Sequence, residues 1–517
     1  MHIKITENYL WFPVDLSAEL VRIDVFEGGN RVQQMKFPLG LEKCDYYAAW
    51  KVTAYRGKML EIQCTPKKEA FVPELLRQEE KRPENHYPYR PRLHYTPSFG
   101  WVNDPNGLVY SDGFYHLFHQ YNPYSTSWEN MSWGHAVSRD LFHWKELDVA
   151  ATPDEWGSAY SGCALVDHQN VSGYGEDAVL FFYTAAGGRN DWSIEAGNQF
   201  TQRRMWADKT VSMLHKEPGP IIPWMEDENR DPCVFWHEAS KAYIMIMYLA
   251  DNKFLILRST DLKNWKKSQE LYVPEMWECP LLMELPVKES AEKKWVFWSA
   301  DGYYQVGNFD GYEFHAETGR QIAYFVRRPY AAQTFANVLD RVLLVPWIGL
   351  DNSNGCYRGA MGIPQELSLK KASDGYKISF KMAREIAGLR QTWEDLKADV
   401  VYPIADEARE LQLRWEPGSK GIAKLCIGDT SIFADLEKGE LHVDTTRKHV
   451  RDLDLTGKFD PSEGLDLSVI IDQEMIDILG ADGTLCGTVE TEENILGREF
   501  SYHSETQALT AKWCILR

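Results

Sequence analysis

The sequence predicts an all-β fold with a propeller at its centre. Strand patterns dominate the chain: residues 108–118 form two alternating runs joined at Asp112-Gly113, a strong hairpin signal. Long amphipathic helices are scarce. A repeated motif, S-x-D-L-x-x-W, occurs at residues 138–144 and again at 259–265. A motif that recurs at the close of a four-stranded unit is typical of propeller blades.

The chain divides into three predicted regions. Residues 1–85 read as a small extra N-terminal β domain that ends in a charged, Pro-containing linker. Residues 86–384 form the propeller, which we expect to be catalytic, with a long insertion near residues 187–216. A helix-like connector at 385–397 opens the last region, residues 385–517, where alternating runs at 465–472 and 475–479 predict a β-sandwich.

Composition excludes several partners. The formal net charge of −20 argues against nucleic acid and against an anionic membrane surface, because both require a basic face. No apolar run is long enough to cross a bilayer, so no membrane span is expected. The 19 Trp, 26 Tyr and 22 Phe suit a protein that stacks rings on sugars, although most of them must be core.

The predictions about cofactors and cellular compartment rest on motifs that the sequence does not contain. The 9 Cys show no C-x-x-C spacing and the 14 His form no paired cluster, so we predict reduced thiols and no metal. No Gly-rich phosphate loop occurs, and no cofactor is expected. The first residues lack a basic region followed by an apolar run, which predicts a cytoplasmic protein; a secreted chain trimmed of its signal is the alternative.

Three acids stand in constrained local sequences. Asp104 lies in Trp-Val-Asn-Asp-Pro-Asn-Gly (101–107), Asp231 in Asn-Arg-Asp-Pro (229–232) and Glu278 in Met-Trp-Glu-Cys-Pro (276–280). The innermost strand of each propeller blade lines one central channel, so the fold would bring all three together. Read alone, each is also compatible with an ordinary turn or half-buried strand acid.

The neighbours of these acids suggest different roles in glycoside hydrolysis, which needs two carboxyl groups flanking the scissile bond. Apolar neighbours around Glu278 penalise its charged form and suit a general acid/base. Asn103 and Asn106 can orient Asp104 as an ionised nucleophile. Arg230 and Asp231 would point to opposite faces of a regular strand, so a joint role for them predicts a bulge or turn.

The chain resembles glycoside hydrolase family 32, the invertase, fructanase and levanase group, over roughly residues 90–517. The matching segments are 101–107, 114–120, 133–135, 160–162, 230–232, 278–280, 330–335 and 359–368. The resemblance implies a five-bladed β-propeller with a C-terminal β-sandwich. It also implies retaining hydrolysis of β-fructofuranosides, small or oligosaccharide, through a covalent fructosyl–enzyme.

The resemblance also implies residue roles. Asp104 matches the nucleophile, Asp231 the transition-state stabiliser and Glu278 the acid/base. The fructose-pocket and leaving-group positions are matched by Trp101, Asn103, Gln120, Trp128, Tyr160, Ser161, Arg230, Tyr330 and Trp347. Two departures occur. Val102 replaces the usual Met, and residues 323–329 lack the usual Asp-x-Gly run, in a segment that bears on leaving-group choice.

An exo-acting β-fructosidase on sucrose, inulin or levan is therefore the leading hypothesis. Its rivals are a fructosyltransferase or endo-fructanase on the same scaffold, a non-catalytic fructan-binding module, and a related propeller that cleaves pentosides with inversion. Residues 1–85 lie outside the family pattern. They could bind polysaccharide, mediate oligomerisation or pack against the propeller.

Overall fold

The computed structural model describes residues 1–351, 356–373, 375–449, 451, 455–491 and 498–517. Strands make up nearly all of its regular structure, which confirms the all-β prediction. The described helices are one short α-helix and four 3-10 helices: Asp191–Ala196, and Thr53–Tyr55, Pro73–Leu75, Arg384–Gly388 and Pro461–Glu463. None of the helices in these ranges is long and apolar enough to cross a membrane.

The N-terminal domain consists of two antiparallel sheets within residues 2–79. One sheet has the order His2–Lys4, Met59–Thr65, Leu20–Glu27, Asn30–Pro38, and the other has the order Tyr46–Lys51, Tyr9–Val14, Arg77–Glu79. Their inward side chains share one apolar core that includes Phe12, Ile23 and Phe37, all fully buried. Because Arg77–Glu79 pairs with Tyr9–Val14, part of the expected linker belongs to this domain.

Five further sheets are the propeller blades. Blade 1 contains Gly100–Ser111, Phe114–Asn122, Ser132–Ser138 and Lys145–Glu146. Blade 2 contains Ser158–Asp167, Ala178–Ala186, Thr201–Ala207 and His215–Ile222. Blade 3 contains Arg230–His237, Ala242–Tyr248, Lys253–Ser259 and Lys266–Tyr272. Blade 4 contains Leu281–Pro286, Lys293–Trp298, Tyr303–Phe309 and Phe314–Ala316, with Gln321–Ile322 beside its third strand. Blade 5 contains Pro329–Thr334, Val342–Ile348, Gln365–Ala372 and Gly375–Met382, with Ala360–Met361 beside its second strand.

The first strand of each blade lines a central channel. A residual cavity of about 10 Å³ in that channel is bounded by residues of all five first strands: Pro105, Ser161, Asp231, Leu281 and Ala331 among them. The ring is closed where Tyr357–Arg358, from the last blade's region, pairs in parallel with Gly100–Ser111. The prediction of a five-bladed propeller is confirmed.

The repeated S-x-D-L-x-x-W motif joins the third strand to the fourth in blades 1 and 3. The expectation that it closes the blade is therefore wrong. Asp140 Oδ1 accepts hydrogen bonds from Ser138 Oγ (3.0 Å) and from the His143 N–H (2.8 Å). Asp261 Oδ1 accepts the equivalent Ser259 hydroxyl bond at 3.0 Å. The motif therefore recurs because each Asp caps the same tight turn.

Two predictions about local structure are wrong: the helix at 385–397 and the long insertion at 187–216. Residues 385–397 are not a helix beyond Arg384–Gly388; Glu394–Asp395 pairs with the strand Thr510–Leu516 at a sheet edge, and this tertiary pairing overrides local helix preference. The insertion expected at 187–216 is short, because Thr201–Ala207 within it is the third strand of blade 2.

The C-terminal region forms a two-sheet sandwich, as predicted. One sheet has the order Val326–Arg327, Leu485–Glu490, Met475–Gly480, Leu465–Asp472, Ala408–Trp415, Thr510–Leu516, Glu394–Asp395; the other has the order Val401–Pro403, Glu499–Ser504, Ile422–Ile427, Thr430–Asp435, Glu440–Asp444, Thr456–Lys458. The atypical segment 323–329 supplies the first of these strands. Its buried Arg328 pairs with buried Glu490 at 2.7 Å, so this segment joins the propeller to the sandwich.

A buried histidine links the start of the propeller to the sandwich. His94 Nδ1 lies 2.8 Å from Asp472 and His94 Nε2 lies 3.1 Å from Asp477. Burial alone would lower the pKa of His94, but Asp477 and Asp472 raise it to about 10. Burial opposes ionisation of Asp472, yet the bonds from His94 and from the Arg92 and Leu93 backbone lower its pKa. The imidazolium is thus held between two carboxylates.

We predict a pH-dependent stability from this cluster. The stability contributed by His94 is fully present below its ordinary pKa near 6.5 and is lost as pH rises towards 10. His94→Gln should cost on the order of 3–5 kcal/mol near pH 6, the usual cost of breaking a buried ion pair. The difference in Tm from wild type, measured by calorimetry, should shrink between pH 7 and pH 10. A difference that stays constant over this range would contradict the charged-histidine assignment.

Candidate active site

The structure brings the three acids to one end of the central channel from three blades. Asp104 lies in the first strand of blade 1, Asp231 in the first strand of blade 3, and Glu278 just before the first strand of blade 4. Cys279 connects two of them, since its Sγ lies 3.5 Å from the Oδ2 atoms of both Asp104 and Asp231. The acids therefore share one space.

Interruptions in the strand pairing orient the side chains of the three acids and their neighbours. In four blades the pairing of the first strand with the second shifts register at the site, between Val102/Pro105, Ala159/Gly162, Arg230/Cys233 and Tyr330/Gln333. Asp231 has a φ of +61°, outside the strand region, and its N–H donates to Thr184 Oγ1 at 2.9 Å. A bulge of this kind lets neighbouring residues depart from strict alternation. The irregularity expected at Arg230-Asp231 is present.

Asp104 accepts three side-chain hydrogen bonds, one of them from the Cys279 thiol at 3.5 Å. Ser161 Oγ donates to its Oδ2 at 2.6 Å and Asn103 Nδ2 donates to its Oδ1 at 3.2 Å. Asn106, expected to be the second amide donor, is fully buried, and in the orientation that satisfies its amide it accepts from Gln120. Ser161 therefore replaces Asn106 as the partner of Asp104, and it comes from the neighbouring blade.

Burial opposes the ionisation of both aspartates. It raises the pKa of Asp104, as does the Glu278 carboxylate, while the bonds from Ser161 and Asn103 work against that rise. Burial also raises the pKa of Asp231 to about 7; Arg230 lowers it, and Glu278 and Asp104 raise it further. Crowded acids that disfavour one another's charge are typical of catalytic sites.

Glu278 lies in a polar setting rather than the apolar one that its sequence neighbours suggested. Arg230 donates to its Oε2 from Nη2 (2.8 Å) and Nε (3.2 Å), and the Tyr330 hydroxyl donates to its Oε1 at 2.7 Å. Trp277 does not seal Glu278 from solvent, since the Glu278 side chain is 28% exposed. The expectation failed because the chain turns at Cys279, whose φ is +44°, and sequence neighbours are not the spatial neighbours.

Cys279 has a polar role that the sequence did not reveal. Its N–H donates to Asp231 Oδ2 at 3.1 Å, in addition to the two thiol contacts. Burial and the nearby Asp231 raise the pKa of the thiol well above its usual range, so it stays a neutral donor. The position of Cys279 directly after Glu278 was the sequence signal that could have indicated this role.

Two aromatic groups flank the acids. Trp347 links Trp101 (ring centroids 5.9 Å apart) to Tyr330 (6.2 Å) beside Glu278. Trp101 also donates from Nε1 to Asn103 Oδ1 at 2.8 Å, which orients the amide that binds Asp104. Burial and Glu278 raise the pKa of Tyr330 far above its ordinary value, so the hydroxyl remains a donor.

The second aromatic group lies on blades 1 and 2. Tyr160 packs edge-on between Trp128 (5.8 Å) and Phe200 (5.8 Å), and Trp128 is 48% exposed. Arg189 lies over the Phe200 ring at 5.9 Å. Neither Phe200 nor Arg189 was predicted, because the segment that carries them was read as an insertion.

Buried side chains beneath the site hold the residues that line it in position. Gln120, predicted to bind substrate, is 2% exposed and donates to the Ala159 carbonyl at 2.9 Å, which ties blade 1 to blade 2. Trp133 donates to the Tyr160 carbonyl at 2.9 Å. A Cβ at Gly107, whose φ is +52°, would lie 2.7 Å from the Trp133 ring, so glycine is required in that turn.

The site as a whole is built from carboxylates, one arginine and aromatic rings. In the described ranges, no group of three or more His, Cys, Asp or Glu side chains is placed to hold a metal ion. Acids held at the end of a propeller channel, with aromatic walls and hydroxyl donors, define the class of a carbohydrate-active propeller protein.

Comparison with known proteins identifies the family. The model of the glycosyl hydrolases family 32 N-terminal domain matches residues 94–380, more than half of the chain. The chain belongs to glycosyl hydrolase family 32. The matched range includes all three acids and the four bulged strands.

Curated relatives agree with this assignment. The levanase of Bacillus subtilis (strain 168) is 32% identical over 449 residues, which cover 76% of this chain and 65% of the levanase. The chain thus spans just under two thirds of that relative. The extracellular exo-inulinase of Aspergillus awamori is 29% identical over 474 residues, covering 77% of this chain and 88% of the inulinase.

Solved structures share the fold. The crystal structure of exo-inulinase from Aspergillus awamori has a TM-score of 0.73 at 24% identity, covering 84% of this chain and 99% of that chain. A fructofuranosidase from Schwanniomyces occidentalis complexed with fructose has a TM-score of 0.70 at 23% identity, with coverage of 84% and 99%. These likenesses support the propeller-and-sandwich architecture.

We predict that Asp231 destabilises the folded protein at neutral pH. Its folded pKa of about 7 lies above the ordinary value of 3.8, so its stability contribution is present below pH 4 and is lost as pH rises through 7. Asp231→Asn, a neutral group of the same shape, should therefore raise Tm relative to wild type by several degrees at pH 7.5. The gain should fall towards zero at pH 4, as measured by calorimetry.

Asp140→Asn is the control of opposite sign. Although burial raises its pKa, the turn hydrogen bonds from His143 and Phe142 lower the pKa of Asp140 to about 2. This variant should lower Tm at pH 7.5. Equal gains at both pH values for Asp231→Asn would show that its carboxylate is not destabilised by its surroundings.

Proposed function

We propose that the protein is a retaining, exo-acting β-fructofuranosidase that releases terminal fructose from sucrose or from fructans. The convergence of Asp104, Asp231 and Glu278 around Cys279 carries this proposal, because it offers two carboxyl groups for the reaction and a third for binding. Family membership supports the same reaction class. Relatives described as levanase, exo-inulinase and Invertase 1 support a fructoside substrate.

Asp104 is the proposed nucleophile. Its carboxylate attacks the anomeric carbon of the fructosyl unit, the bond to the leaving-group oxygen breaks, and Glu278 donates a proton to that oxygen. The Ser161 hydroxyl orients the attacking carboxylate. The fructosyl–enzyme is then hydrolysed when Glu278 takes a proton from water, whose oxygen displaces Asp104.

Two side chains fix the position of the Glu278 carboxyl group, which gives and then regains a proton in the proposed reaction. Tyr330 and Arg230 hold its two oxygens, at 2.7 and 2.8 Å, and thereby fix the carboxyl beside the aromatic group of Trp101 and Trp347. We place the leaving group on this side. Asp231, held by Cys279 and Arg230, is proposed to bind fructose hydroxyls more tightly as charge develops in the transition state.

We predict that Asp104→Asn and Glu278→Gln fold normally and lose several orders of magnitude in kcat on sucrose and inulin. The first removes the nucleophile and the second removes the proton donor, while neither changes side-chain volume. Steady-state kinetics measures the loss, and unchanged Tm and circular dichroism serve as the control for folding. Near-normal turnover by either purified variant would refute the assignment.

Exposed indole rings at the rim favour substrates longer than a disaccharide. Trp128, Trp224 and Trp277 are 48%, 44% and 50% exposed. Sugar rings stack on such surfaces. Product analysis on levan and inulin separates the modes on this scaffold: free fructose alone supports exo-hydrolysis, whereas oligosaccharide products support endo-cleavage or fructosyl transfer.

A further inference from the structure

A cleft between the N-terminal domain and blades 1 and 2 adjoins the active site. Its volume is about 260 Å³. The N-terminal domain contributes Lys36 and Gln34 to its wall, and the propeller contributes Trp128, Glu129 and Arg189. Trp128 also packs against Tyr160 of the proposed fructosyl pocket, so the two spaces share one ring.

The N-terminal domain fixes both walls of this cleft. The backbone of Lys36 exchanges two hydrogen bonds with the Asn130 side chain, at 2.7 and 2.6 Å, which holds the segment that carries Trp128. Gln34 Oε1 accepts from the Trp192 N–H at 2.9 Å, and Arg22 pairs with Asp191 at 3.3 Å. These bonds hold the segment that directly follows Arg189, residues 190–192. The cleft would lose one wall without this domain.

The cleft presents polar groups that are free to bind a ligand. The Glu129 carboxylate accepts a hydrogen bond from the Asn130 backbone N–H but from no described side chain, and the Lys36 ammonium forms no ion pair with a described carboxylate. Burial raises the pKa of Glu129, and the nearby Lys36 lowers it only in part. A half-buried carboxylate without a side-chain partner is costly unless a ligand supplies donors.

These groups match the needs of a sugar ring. A carboxylate accepts hydrogen bonds from hydroxyls, an ammonium donates to them, and an exposed indole stacks on the apolar face of the ring. Phosphate or another anion fits less well, because Arg22 pairs with Asp191 and Arg189 pairs with Glu228, which leaves Lys36 as the remaining cation of the lining, near the Glu129 carboxylate.

We propose that this cleft is an accessory subsite, completed by the N-terminal domain, for a distal sugar residue of the leaving group, beyond the residue that lies beside Trp101 and Trp347. Trp128 is its platform, Glu129 its acceptor and Lys36 its donor. This inference rests on the proposed function. It assigns the N-terminal domain a direct part in selecting fructo-oligosaccharides by chain length.

Lys36→Ala and Glu129→Ala test the subsite. Lys36 holds Asn130 through its backbone only, so the alanine variant keeps that contact. We expect kcat/KM on inulin-type and levan-type tetrasaccharides to fall about tenfold relative to kcat/KM on methyl β-D-fructofuranoside, the loss of one hydrogen bond to a charged group. Lys36→Arg should retain most of the preference. Lys43→Ala is the matched control, an exposed N-terminal lysine paired with Asp45 outside the cleft.

Calorimetric binding of the same tetrasaccharides, measured with every protein in the Asp104→Asn background so that the ligand is not consumed, separates the two proposals. Weaker binding by the Lys36→Ala and Glu129→Ala variants than by the Asp104→Asn parent and its Lys43→Ala variant supports the subsite, whatever the turnover. If the wild type hydrolyses none of these fructosides, the proposed function fails. If both variants keep wild-type substrate ratios and wild-type affinity, the subsite is refuted and the N-terminal domain only packs against the propeller.

Discussion

The active site depends on one constraint: the innermost strands must stop pairing regularly where they reach the end of the channel. In a regular strand Arg230 and Asp231 would face opposite sides of the sheet. The register shift between Arg230 and Cys233 lets Arg230 pair with Glu278 while Asp231 accepts a hydrogen bond from the Cys279 N–H. The same interruption recurs in blades 1, 2 and 5, so the site is a ring of bulges on a rigid frame.

This geometry has an energetic cost that the blades must offset. Asp231, Cys279 and Ala331 all have positive φ, at 61°, 44° and 46°. Such conformations cost of order 1 kcal/mol or more for residues with a side chain. Buried aspartates with raised pKa values add to the cost. The fully buried rings of Trp133 and Phe181 and the hydrogen bonds between blades stabilise the frame, which allows the site itself to be strained.

Local sequence patterns predicted the strands, the Asp-Gly hairpins and the positions of the three acids, because alternation and turn residues are local signals. The family resemblance supplied the blade count and the residue roles. The partners of the acids could not be predicted. Ser161 reaches Asp104, and Arg230 and Tyr330 reach Glu278, across blades that only the closed ring brings together. The predictions that Asn106 orients Asp104 and that Glu278 lies among apolar groups were wrong for this reason.

The most direct test of the account is the identity of the residue that carries the sugar. Glu278→Gln should still react with β-D-fructofuranosyl fluoride, whose leaving group needs no proton, and should then hydrolyse the intermediate slowly because no base activates water. Acid quenching, proteolysis and mass spectrometry would locate the adduct. We predict a fructosyl ester on Asp104 that is absent from the Asp104→Asn, Glu278→Gln double variant. An ester on Asp231, or none while β-fructosides are still cleaved by the wild type, would contradict the account.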